Sequence, residues 1–427
     1  MTGQRRDRES SGAKSGGPSA ERSAWRDDRL WQVGFLVGSA VGAAITVAGR
    51  RAEQSARQGL VDWPQVERIA AGRLRHAPGT LTAAELQATE PAWAAAMAKV
   101  APALATHLGA ELPGVVERIE VVDRAGWVRA NVTSFAQLIR TLEGELLDQL
   151  IPPGAGWPKA AMALANRWVS TRQLGLLLGF MGQRVLGQYD LALLTAEATP
   201  GKLLFVEENV RQTARNLDVP IDAFRTWIAL HETTHAFEFE AHPWLRPYLA
   251  GRLERQLQLF SRDASSLGRE AMRGLGRALR GEDTDARHWL ERMMTDEQRR
   301  LFRETQAVMS LLEGFGDHVM DEVGKELVPG VARISERFHA RRERRTPFER
   351  AMLRITGMDL KLEQYKKGEK FVAAIHRDGG AAALRRLWDG PETLPTADEI
   401  EIPSRWLARM GLGLALGPGG DQDGATA

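Results

Sequence analysis

The chain has no cysteine. Disulfides, thiolate metal sites and cysteine nucleophiles are therefore excluded, and any metal must rest on His, Asp or Glu. An excess of either charge is also lacking: Lys and Arg number 57 against 55 Asp and Glu, a net +2, so no global field recruits nucleic acid. Nucleotide motifs are missing as well. Neither G-x-x-x-x-G-K-[ST] nor a G-x-G-x-x-G following a strand occurs, and no internal repeat is seen. What remains is ordinary for a folded protein: 43% hydrophobic and 26% charged residues in 427, enough to bury a sizeable core.

Residues 1–28 are rich in Arg, Ser and Gly without apolar periodicity, and read as a disordered tail. Residues 29–52 contain a charge-free run, LWQVGFLVGSAVGAAITVA from Leu30 to Ala48, in which Gly34, Gly38 and Gly42 share one helical face. This predicts an apolar Gly-rich helix that is packed or interfacial, or else a membrane anchor. A cytoplasmic location is expected, with anchoring through 30–48 as the alternative. Residues 60–402 form the expected main domain, and 403–427 a last short helix and a flexible end.

After Trp63 the pattern is mostly helical, giving a mainly α (α+β) class. Short strands are expected at Val116–Val122, around Trp127–Val132, and in KLLFVEE from Lys202 to Glu208. Residues 252–306, crowded with Arg, Glu and Gln, read as surface helices joined by a turn at Gly281-Glu282-Asp283.

The chemistry concentrates at His231-Glu232-Thr233-Thr234-His235, an H-E-x-x-H on a helical pattern. Histidines four apart project from one helix face, so their imidazoles can converge on one ion. Glu232, lying beside them, can take a proton from a metal-activated water. A third histidine in the form H-E-x-x-H-x-x-G-x-x-H is not available: its positions hold Glu238 and Ala241. His242 comes one residue late, before the helix-ending Pro243. A later glutamate serves instead. In SLLEGFGDHVMD, Glu313 and Asp317 share a face, so one carboxylate could bind metal and the other could orient a ligand histidine. His318, Tyr248 and Tyr189 are candidate oxyanion donors, Tyr189 also reading as a packing residue.

H-E-x-x-H followed by E-x-x-x-D resembles the gluzincin arrangement. That likeness implies zinc held by His231, His235 and Glu313, with Asp317 orienting His231. Further pieces, among them VVDRAGWVRANVTSF from Val121, HETTHAFEFEAHPWLRPYL from His231 and EGFGDHVMD from Glu313, are similar to a bacterial family of zincin-like metallopeptidases. One branch of that family is labelled as associated with deazaflavin coenzyme biosynthesis. The resemblance implies a helical domain with a small sheet beside the H-E-x-x-H helix, and hydrolysis of a peptide or small amide by zinc-activated water with Glu232 as base. LLFVEE would be the edge strand that holds an extended peptide, or, as the preferred reading, simply a core strand. The rival expectation is a non-catalytic scaffold or binding module tied by zinc.

Overall fold

The computed structural model describes residues 54–55, 57–150, 156–190, 201–262, 294–343 and 358–412. The tail 1–28, the apolar run 30–48, the turn at 281–283 and the end 413–427 lie outside the described residues. Contacts divide the chain into two units: Met1–Leu60 with Leu147–Trp168, and Val61–Leu146 with Val169–Ala427. In the first, the Arg167 guanidinium donates to the Ser55 carbonyl at 3.2 Å. The second unit carries the site. No helix among the described residues is long and apolar enough to cross a membrane.

The second unit opens with α1 (Trp63–Leu74), α2 (Ala83–Gln87) and α3 (Glu90–Leu108). Asp62 caps α1, its carboxylate accepting from the Gln65 N–H at 3.0 Å, and a proline follows at the first turn where its missing donor is harmless. Then come β1 (Ile119–Val122), α4 (Arg124–Leu150) and α5 (Gly156–Gly182), whose residues from Leu147 to Trp168 belong to the first unit, followed by β2 (Gly187–Asp190) and β3 (Lys202–Val206). The strand expected around Trp127–Val132 is helix instead. Trp127, Val128 and Val132 are buried at one- and four-residue steps, the spacing of a helix face, and their β-branched content misleads.

The three strands run in the order β1-β3-β2, with β1 and β3 parallel and β2 and β3 antiparallel. The KLLFVEE segment is thus the central strand, not an edge. Leu203 to Val206 are at most 1% exposed, the continuous apolar run of a strand covered on both faces. The outer strand on the β2 side is Gly187–Asp190, whose four residues carry too little pattern to announce a strand. Glu207 and Glu208, expected in the strand, begin α6 (Glu207–Leu217).

Both glutamates are buried because partners satisfy them. Glu207 accepts from Trp93 Nε1 and Arg211 Nε, each at 2.8 Å, and from the Arg225 guanidinium. Glu208 accepts from the backbone N–H of Leu81 at 2.8 Å and of Arg124 at 3.0 Å. This network ties α3, α4 and α6 to α7 (Ile221–Glu240), the H-E-x-x-H helix. Trp227 to Leu230 and Glu232 to Thr234 are all buried, so α7 is packed on nearly every side and sits at the centre of the unit.

Around it lie α8 (Leu245–Arg262), α9 (Asp296–Leu327), α10 (Val331–Glu343) and α11 (Met358–Arg386), which is kinked at Gly380. Short helices α12 (Ala397–Glu401) and α13 (Pro403–Arg409) close the unit, anchored by wholly buried Trp406. α9 and α11 approach unusually closely. A Cβ on Gly368 would stand 1.9 Å from the Ser310 carbonyl oxygen, and one on Gly314 would stand 2.2 Å from the Gly368 carbonyl carbon. Only glycine allows that contact.

Candidate metal centre

α7 and α9 build the site. His231 and His235, one helical turn apart, turn their rings edge to face at 4.6 Å, and their Nε2 atoms are 3.2 Å apart. Glu313 from α9 brings Oε2 to 3.9 Å from His231 Nε2. One ligand atom from each of the three residues lies within 4.8 Å of the others. Gly316 of α9 faces both imidazoles: a Cβ there would stand in ordinary contact with His235 Cε1 at 3.5 Å and His231 Cε1 at 3.6 Å.

The far nitrogens determine what the near ones can do. His235 Nδ1 is 2.8 Å from Glu238 Oε2, and His231 Nδ1 is 3.0 Å from Met320 Sδ. Both neighbours are acceptors, which assigns the proton to Nδ1 in each neutral ring. With both rings neutral, the two Nε2 lone pairs face each other, an arrangement that a cation between them would satisfy. For zinc held tetrahedrally at about 2.0–2.1 Å from nitrogen, the ligand-to-ligand edge is about 3.3 Å. The observed 3.2 Å separation fits.

Glu232 lies beside the pair and is only 7% exposed. The Tyr189 N–H from β2 donates to its Oε2 at 3.1 Å. A Cβ on Gly187 would stand 2.6 Å from Glu232 Cγ, so glycine in β2 makes room for the carboxylate. Burial pushes the Glu232 carboxyl up to about 7, helped by Glu313 and opposed by His235. His235 also suffers burial, but Glu238, Glu313 and Glu232 outweigh it and raise the imidazole to about 10. Without a cation, these carboxylates therefore favour the protonated imidazolium at His235.

The remaining expected residues fall in different places. Asp317 is half-buried one turn beyond Glu313. His318, a candidate oxyanion donor, packs instead edge-on against His376 of α11 at 4.8 Å. Five residues past Glu313 is about 140° around the helix, which turns His318 to another face. Tyr248 lies on α8, beyond the break at Pro243, beneath the Arg252 guanidinium at 4.0 Å and beside Trp244. The Tyr189 hydroxyl donates to Glu240 Oε1 at 2.8 Å, while burial followed by Glu240 pushes it up to about 12. Its contribution to the site is the backbone N–H. His242 caps the end of α7, with Nδ1 2.8 Å from the Glu238 carbonyl oxygen, and stacks on Trp388.

Sequence reasoning missed Glu238, Met320 and the β2 backbone. Glu238 carries a local signal, since it stands three residues after His235 and so shares its face. Met320 and β2 reach the site only through packing.

A mainly helical domain whose H-E-x-x-H pair meets a distant glutamate at metal-ligand spacing defines a metal-dependent hydrolase class. The chain belongs to the zincin-like metallopeptidase family, whose profile matches residues 61–407. Membership implies a metal, typically zinc, and hydrolytic chemistry in general. A crystal structure from Chloroflexus aurantiacus, described as a provisional hydrolase with a novel fold, is similar at 35% identity and a TM-score of 0.60. The match covers 82% of this chain and 99% of that one. No curated protein matches.

Proposed function

We propose that the chain is a zinc-dependent peptidase in which His231, His235 and Glu313 hold the metal and Glu232 is the general base. The observation that carries this reading is the convergence of three ligand atoms within 4.8 Å of one another, beside a buried glutamate. Zinc, when bound, supplies a Lewis acid and lowers the pKa of its water toward about 7. Glu232 would take a proton from the attacking water and hand it to the leaving amine. Its burial, which raises the carboxyl, suits it to carry a proton. The Tyr189 N–H keeps Glu232 turned to the site throughout.

An extended peptide or small amide is the substrate class. β2 borders Glu232 and is an edge strand, so it is the strand along which a peptide would pair. The gluzincin likeness gives Asp317 the orienting of His231. Met320 Sδ also stands at that ring's Nδ1, at 3.0 Å.

The test is zinc content per chain by elemental mass spectrometry, followed by cleavage of a peptide library. About one zinc is expected, falling sharply in Glu313→Ala. Glu232→Gln should keep the zinc and lose cleavage by at least about a hundredfold. A protein that takes up no zinc after reconstitution overturns the reading. Zinc bound without cleavage of any peptide reduces the site to a structural tie between helices.

A further inference from the structure

Glu238 has no part in the chemistry above, yet its side chain is 0% exposed. One carboxylate oxygen meets His235 Nδ1 at 2.8 Å, while Oε1 is buried with no hydrogen-bond partner. A carboxylate placed this way is costly unless a nearby positive charge offsets it. Its backbone is held too, since the carbonyl oxygen bonds His242 at the helix end. The residue is therefore fixed on both sides of a ligand histidine.

We propose that Glu238 is the positioning residue of the metal centre. It holds His235 in the Nδ1–H tautomer with Nε2 aimed at the ion, and its negative charge makes that imidazole the stronger ligand. This role rests on the zinc site proposed above. The two histidines differ in this respect, because His231 Nδ1 meets a thioether, a weak acceptor, where His235 Nδ1 meets a carboxylate. Charge also balances: Glu238 and Glu313 supply two carboxylates to a divalent cation, leaving Glu232 free to carry a proton. Oε1 stays without a hydrogen-bond partner, so the carboxylate is held at a cost that packing alone does not repay.

The role predicts opposite movements of two quantities, which ordinary packing would move together. Zinc affinity is measured by chelator competition, and the melting temperature of the metal-free protein by calorimetry, for wild type, Glu238→Gln and Glu238→Leu. Gln is isosteric and keeps the fold testable if Leu does not. Expected is zinc binding weakened about tenfold to a hundredfold, with the metal-free melting temperature equal to or above wild type. The visible spectrum of the cobalt-substituted protein should shift in both variants. Met320→Leu, which removes the weaker acceptor, should weaken zinc binding less than Glu238→Leu. Wild-type zinc affinity in both Glu238 variants overturns the positioning role and leaves the metal site standing. So does an affinity that falls only in step with metal-free stability. A wild-type chain that binds no zinc overturns the site itself, and this role with it.

Discussion

His318 is a histidine kept neutral by its surroundings. It is 8% exposed, its Nε2 is buried without a partner, and His376 packs edge-on against it. Burial, then His376, pull its pKa from 6.5 to about 4; His107 and Lys325 act in the same direction, and Glu322 opposes. Between about pH 6.5 and 4 the unfolded chain binds a proton here that the folded chain does not. Stability from this group is therefore complete above pH 6.5 and is lost as pH falls toward 4. Urea denaturation at pH 7.5 and 4.5 should show wild type losing more stability on acidification than His318→Leu. Equal losses would assign the acid sensitivity elsewhere. The same residue shows why a chemical type read from sequence can be misplaced. Position 318 offered a histidine near Glu313, but the side it faces depends on what α9 packs against.

At the scale of elements, the spacing of α9 from its neighbours sets the geometry of the centre. Gly314 and Gly368 let α11 press closely on α9, which carries Glu313. Gly368→Ala would push a methyl group into the Ser310 carbonyl, a backbone group that cannot swing away. The helices must separate, at a cost of about 1–3 kcal/mol or more, and Glu313, adjacent to Gly314, must move with α9. The variant should unfold at lower urea than wild type and hold less zinc. Unchanged stability would mean that the contact relaxes cheaply. The helices here were legible from their three- and four-residue periodicity. The sheet was legible only in part. Central β3 announces itself by its unbroken apolar run, whereas β2 has four mixed residues, and only the start of α4, Trp127–Val132, reads as a strand, because Trp and Val suit either structure.

On the scale of the whole molecule, the proposed centre joins α7 to α9, with Glu313 standing 78 residues after His235. A ligand that binds only the folded chain stabilises it by mass action, by about 4 kcal/mol at a thousandfold excess over its dissociation constant. Zinc should therefore raise the melting temperature of wild type and chelator should reverse it, while Glu313→Ala should show little of either effect. An equal zinc effect in that variant would remove Glu313 from the ligand set.

The sequence by itself determined the class of chemistry. Without cysteine, a metal had to rest on His, Asp or Glu, and H-E-x-x-H places two imidazoles and a carboxylate on one helix because a helix repeats every 3.6 residues. Such local regularity survives without knowledge of the fold. Tertiary structure alone decided that β2 supplies the N–H on Glu232, that Met320 stands behind His231, and that His318 and Tyr248 face elsewhere. Each of these depends on which faces of distant segments pack together, and close packing answers to the shape of the whole core rather than to spacing along the chain.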